Sequence, residues 1–133
     1  MKRIDKDQRI TWLERVRYTD MPDLYNICDI FALPSITMVN NEEQFGMAVL
    51  EAMACGLPTV VTNVGGLPFV VKEGETSFVV NERSSDELAK YLEKLVLNPG
   101  LREEMGSHAV EYVRKKFHPD KVCRDLADFY ESL

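Results

Sequence analysis

Apolar and polar positions follow one another along the chain in short blocks whose periods predict alternating strands and helices. Arg9 to Val16 (RITWLERV) sets Ile10, Trp12 or Leu13, and Val16 in alternation with polar residues, which predicts a short strand. MPDLYNICD, with Pro22 near its first turn, predicts a short helix. DIFALPS is a continuous apolar run stopped by Pro34, the pattern of a strand buried on both faces. A polar loop, ITMVNNEEQ, leads to Gly46 and an apolar helix that runs to Ala54. CGLP then turns the chain, since Gly56 stands where a helix end favours a left-handed residue and Pro58 bars continuation. TVVT follows as a second buried strand. Strand, helix and strand in this order predict a right-handed crossover joining two parallel strands.

The second half of the chain reads as helices after one more strand. FVVKEGETSFVV predicts a short helix or extended piece, a turn at KEGET and a strand at SFVV. Ser84 precedes Glu87 at capping-box spacing, and Leu88, Leu92 and Leu95 form the buried stripe of a helix reaching about Asn98. Pro99 opens a further helix with Leu101, Met105, Ala109, Val113 and Phe117 inward. Pro119 opens the last, with Val122, Leu126, Phe129 and Leu133 on one side. The predicted architecture is α/β: a three-layer, Rossmann-like parallel sheet with helices on both faces, in one domain spanning residues 1–133.

Composition narrows the function classes. A chain of 133 residues with 45% hydrophobic and 29% charged residues suits one soluble globular domain. Sixteen basic against 22 acidic residues give a net charge of −6, which argues against nucleic acid as a partner. The basic run Arg114 to Lys116 alternates with acids at helical spacing and reads as a solvated face rather than a membrane contact. Cys28, Cys55 and Cys123 are odd in number and far apart, which predicts reduced, buried thiols in a cytosolic protein.

The candidate chemistry gathers between Glu43 and Gly66. Glu51 is the only polar residue from Met47 to Cys55, and a lone carboxylate in an apolar helix costs several kcal/mol unless it is paired. Either a structural partner satisfies it, such as Arg9, Arg15 or a loop backbone, or it accepts hydrogen bonds from ligand hydroxyls. Position alone leaves both readings open. Glu43 by itself reads as a solvated loop residue, though from the loop it is free to face the same pocket. The backbone N–H groups of about Phe45 to Ala48 lie at a helix start, which favours a phosphate or a sugar oxygen. Gly65 and Gly66 let backbone approach a ligand closely. No metal site is expected: the acids of DKD, Asp5 to Asp7, lie in a charged tail, and His108 and His118 are isolated surface or capping residues.

EQFGMAVLE, followed by AMACGLPTVVT and NVGGLP, resembles the donor-site signature of the retaining group 1 (family 4) GT-B glycosyltransferases, with seven residues between its two glutamates. The resemblance extends from RITWLERV through DIFALPS to GLREEMG and FHPDKV, nearly the whole chain. It implies the C-terminal half of a GT-B fold. Glu43 would contact hydroxyls of the donor sugar as the catalytic candidate. Backbone at Phe45, Gly46 and Met47, with Gly65 and Gly66, would meet sugar and diphosphate. Glu51 would hold the ribose, and Arg15 and Val16 would support the base. Gln44, Glu14 and Phe69 depart from the family's usual glycine, glycine and acid.

The resemblance further implies a metal-independent transfer without a cofactor, the nucleotide sugar being a substrate. The expected partner is an N-terminal acceptor-binding domain, in the same or a separate chain. The family's diphosphate-binding Arg and Lys are expected upstream of these residues, which would leave a donor-binding fragment with little turnover alone. The full-length enzyme is expected in the cytoplasm, peripheral to the inner face of the membrane, in envelope polysaccharide or lipopolysaccharide synthesis. The competing reading is a non-catalytic, nucleotide-sugar-binding subunit of a split enzyme. A receiver-like signalling domain would need an Asp at a strand's carboxyl end, and DIFALP and TVVT end without one.

Overall fold

The computed structural model describes residues 7–39 and 43–133. Three strands, β1 (Phe31–Leu33), β2 (Thr59–Thr62) and β3 (Ser77–Val80), form an all-parallel sheet in the order β1-β2-β3. A 3-10 turn, Tyr18–Asp20, leads into α1 (Met21–Asn26). Helix α2 (Met47–Ala54) crosses from β1 to β2, and α3 (Leu67–Val70) lies between β2 and β3. The chain ends in α4 (Ser85–Leu97), α5 (Pro99–Lys116) and α6 (Pro119–Glu131).

The central strand explains the layers. All four residues of β2 are buried, and successive side chains point to opposite faces. Val61 joins Val49, Leu50 and Met53 of α2, Leu67 of α3 and Ala109 of α5 in one core. Val60 joins Phe78, Leu95 of α4 and Met105 of α5 in the other. Helices therefore cover both faces, as the sequence predicts. The polar residues of the sheet are satisfied internally: Thr59 and Ser77, both fully buried, share a 2.5 Å hydroxyl contact across β2 and β3. The α2–β2 turn uses Gly56 at φ +81°, the left-handed residue expected at a helix end.

Four expectations need correction. Arg9 to Val16 forms no strand, and Ile10, Trp12 and Leu13 are half exposed or more. Alternation specifies the two faces of a strand, but a strand also needs a neighbour to receive its backbone hydrogen bonds, and the described sheet offers this segment none. β1 is not buried on both faces: it is an edge strand of three residues with Ala32 exposed. Ser84 caps α4 by position without a side-chain hydrogen bond, and the Glu87 carboxylate instead accepts from the Asn81 N–H at 2.8 Å and from the Asn81 amide. The thiols are not all buried: Cys28 borders an open hollow and is exposed, Cys123 is exposed on the loosely packed α6, and Cys55 is half-buried.

Helix α6 packs little. Val122, Leu126 and Phe129 are 47%, 52% and 57% exposed, so the apolar stripe that the sequence places on one side of this helix lies open. His118 caps this helix, its Nδ1 accepting from the Asp120 N–H. Among the described residues no helix is long and apolar enough to cross a membrane.

Candidate functional site

The carboxyl end of β1 and the start of α2 are joined by a loop of which residues 43–46 are described, and this loop is stitched to the segment after β2. Gly66 N–H donates to the Glu43 carbonyl at 3.1 Å. Gly66 sits so close to the loop that a Cβ there would overlap the Gln44 carbonyl oxygen. The Gly65-Gly66 pair thus serves a close approach, but at Gly66 the approaching backbone belongs to Gln44 of the same chain. Asn63 N–H continues from the sheet by bonding the Val80 carbonyl at 2.8 Å.

Glu43 is part of this junction. Its Oε1 accepts the Gly46 N–H at 3.0 Å, so the carboxylate folds back on the turn that starts α2. Gly46 is the helix N-cap at φ +78°, a conformation that costs an L side chain energy, and a Cβ there would also press on Leu67. Met47 and Ala48 follow with N–H groups ahead of the helical hydrogen-bond ladder. Phe45 and Met47 carry exposed side chains, with Phe45 edge-on to Phe117 at 6.2 Å. The expected donors and Glu43 therefore converge on the first turn of α2.

Glu51 finds a partner that neither open reading named. The hydroxyl of Tyr25 donates to its Oε2 at 3.1 Å, 26 positions away in the chain. No ion pair or hydrogen bond joins it to Arg9 or Arg15 among the described residues. Arg9 bonds Asp7 instead, the structurally described acid of the DKD run. Burial, and secondly the bond to Glu51, push the Tyr25 phenol up to about 12. Burial first and then the Glu51 charge also raise the Cys55 thiol. The carboxylate borders a cavity of about 220 Å³ lined by Tyr18, Met21, Tyr25, Ala54 and Cys55. Arg15 is exposed and Val16 half-buried in the irregular segment before Tyr18, and no described bond brings either to Glu51.

A second hollow of about 220 Å³ lies outside the carboxyl ends of the strands, between Pro34, Thr62, Val80 and Arg83. Its walls are tied together: Glu82 accepts the Thr37 N–H at 2.7 Å, Arg83 donates to the Thr37 carbonyl at 3.1 Å, and Thr62 donates to the Ser35 carbonyl at 2.6 Å. Sequence reasoning missed both this brace and Tyr25. No local pattern marks either, because each acts on a partner at least 26 positions distant.

The comparisons with known proteins agree with the fold. A family described as glycosyl transferases group 1 matches residues 3–112. The D-inositol 3-phosphate glycosyltransferase of Actinosynnema mirum is 38% identical over 110 residues, which cover 83% of this chain and 25% of that protein. The N-acetyl-alpha-D-glucosaminyl L-malate synthase of Bacillus anthracis is 30% identical over 121 residues, 90% of this chain and 31% of that protein. The chain thus spans about a quarter to a third of the curated relatives it matches. Among solved structures, Anabaena HepE in complex with UDP-glucose superposes with a TM-score of 0.81 at 27% identity, over 99% of this chain and 35% of that one.

Proposed function

The chain belongs to the group 1 glycosyl transferases, and on that premise we propose that it is the donor-binding part of an enzyme transferring a hexose from a nucleotide sugar with retention. The observation that carries this reading is the junction at Gly46, where Glu43, the first turn of α2 and the Gly66 backbone are held together outside the carboxyl end of the sheet. Ligands of open parallel sheets bind in that region.

The division of labour follows from the groups present. A departing nucleoside diphosphate gathers negative charge, which the N–H groups of Met47 and Ala48 and the dipole of α2 offset without a metal ion. Oε1 of Glu43 is committed to Gly46, so its Oε2 accepts from a hydroxyl of the sugar. Glu51 accepts from the ribose, while Arg15 and Val16 frame the base. A solved relative in complex with UDP-glucose supports uridine diphosphate as the first probe.

The acceptor belongs to a further, N-terminal domain of the same or a separate chain. We read it as a saccharide or lipid-linked acceptor of envelope polysaccharide or lipopolysaccharide synthesis, used in the cytoplasm at the inner membrane face. Two curated relatives are named for inositol phosphate and malate acceptors, so both belong in the panel tested.

Titrating the isotope-labelled chain with UDP and UDP-glucose tests the binding half of the proposal. Half a cleft should bind with a Kd of about 1 mM, or roughly −4 kcal/mol, and shift the amides of Gly46, Met47 and Glu51. No shift at about 10 mM overturns it. For the catalytic half, the chain joined to its acceptor-binding domain should transfer without metal, and Glu43→Ala should remove most of the rate. An unchanged rate would show that Glu43 is misassigned.

A further inference from the structure

The partner of Glu51 is itself firmly packed. Tyr25 is only 4% exposed, its ring edge-on to Phe31 of β1 at 5.9 Å and packed with Ala52 and Leu57. Ala52 adjoins Glu51 on α2, so one tyrosine is clamped between β1, α2 and the turn after it. A clamped ring leaves its hydroxyl no choice of direction except rotation of the O–H itself. By contrast, a glutamate side chain has three free torsions and settles only where something holds it. Here Oε2 is held by the Tyr25 hydroxyl at 3.1 Å, and Oε1 has no hydrogen-bond partner among the described residues.

We propose that Tyr25 is a positioning residue for the nucleotide: its clamped hydroxyl fixes one oxygen of Glu51 so that the other is presented, already oriented, to a vicinal diol. This rests on the reading of Glu51 as the ribose contact given above. The phenol stays a donor far above neutral pH, since burial and the bond to Glu51 push it up to about 12. The Cys55 thiol, also held up by burial and by Glu51, stays neutral beside it. Both neighbours of the carboxylate therefore remain uncharged, and neither competes with the ligand for Oε1. Orienting the acceptor before binding reduces the ordering cost that the diol would otherwise bear.

The test compares UDP with 2′,3′-dideoxy-UDP on the unaltered chain and on Tyr25→Phe. The unaltered chain should prefer UDP by about tenfold, the span of a hydrogen bond to a charged group. In Tyr25→Phe that preference should narrow by about threefold or more, with affinity for the dideoxy nucleotide unchanged. A purely structural tyrosine would weaken both ligands alike and leave the preference intact, which would overturn the proposal. If the unaltered chain shows no preference, the ribose reading of Glu51 fails and the proposal falls with it, a result distinct from the previous one. Should Tyr25→Phe not fold, the hydroxyl proton of Tyr25 is followed by NMR in the unaltered chain. Its persistence in the UDP complex supports the proposal, and its loss on binding overturns it.

Discussion

Gly66→Ala isolates the close approach that shapes the candidate site. Gly66 has φ −79° and ψ −11°, which any residue adopts, so backbone strain plays no part. Taken alone, alanine would even stabilise the chain by about 0.4–1 kcal/mol, by restricting the unfolded state. The obstacle is steric. The added Cβ would lie 2.9 Å from the Gln44 carbonyl carbon and 3.1 Å from Phe45 Cα, and closer still to the Gln44 oxygen. All three are backbone atoms and cannot rotate away. Relief requires the two segments to part by roughly 1 Å, which breaks the 3.1 Å bond from Gly66 N–H to the Glu43 carbonyl.

The lost hydrogen bond costs about 1 kcal/mol and the overpacking about 1–3 kcal/mol. Set against the unfolded-state gain, the net loss is about 2 kcal/mol, or a fall in Tm of about 6–8 °C for a domain of this size. Thermal melts followed by circular dichroism read it directly. Gly100→Ala is the control, because a Cβ there meets no atom within 4 Å beyond its own helix backbone and the residue belongs to the first turn of α5. The control should melt at or slightly above the parent. The reasoning is refuted if Gly66→Ala melts within about 2 °C of that control, for then the loop and the glycine are not locked together.

Glu51→Gln keeps an acceptor for the Tyr25 hydroxyl, so Tm should move by no more than a few degrees while UDP affinity falls about tenfold; a collapse of the fold would make the carboxylate structural. The Tyr25 phenol, raised to about 12 against an unfolded value near 10, contributes stability that is complete below pH 10 and lost as pH climbs toward 12. Denaturant unfolding at pH 9 and 11 should therefore show a steeper loss for the unaltered chain than for Tyr25→Phe, and equal losses would count against a protected phenol. Phe129→Ser on the open stripe of α6 should cost less than about 1 kcal/mol in melts of this chain, and a larger fall would mean that the stripe is covered.

What the sequence revealed and what it hid divide by distance along the chain. TVVT and MAVLEAMA read correctly because burial of β2 and α2 leaves its mark in consecutive residues. RITWLERV misled because alternation says which way side chains point and nothing about a neighbouring strand. The same limit applied at Glu87, whose spacing from Ser84 fits a capping box although Asn81 holds the carboxylate. At the site, Glu51 stood out as the lone acid of an apolar helix and Gly46 as its start, whereas Glu43 stood out only through the family resemblance. Gly66 stood out as well, with half of its purpose hidden, since the Gln44 backbone it accommodates is 22 residues earlier by number, 66 − 44, and carries no signal of that contact.

The lone acid in an apolar helix follows from which face of α2 it occupies. Val49, Leu50, Ala52 and Met53 are buried, whereas Met47, Glu51, Ala54 and Cys55 form the outward stripe at helical spacing. Met47 is 58% exposed, so this outward face is apolar and uncovered except for one carboxylate half-shielded by Tyr25. A solvating role needs no tyrosine, and a burial role would leave no oxygen open. One oxygen satisfied from within, the other unpaired among the described residues, and apolar neighbours on both sides make an acceptor whose next hydrogen bond strengthens once a ligand covers the stripe and excludes water. A hydroxyl-bearing ligand that covers the stripe would therefore complete this network, and an apolar one would leave Oε1 buried and unsatisfied.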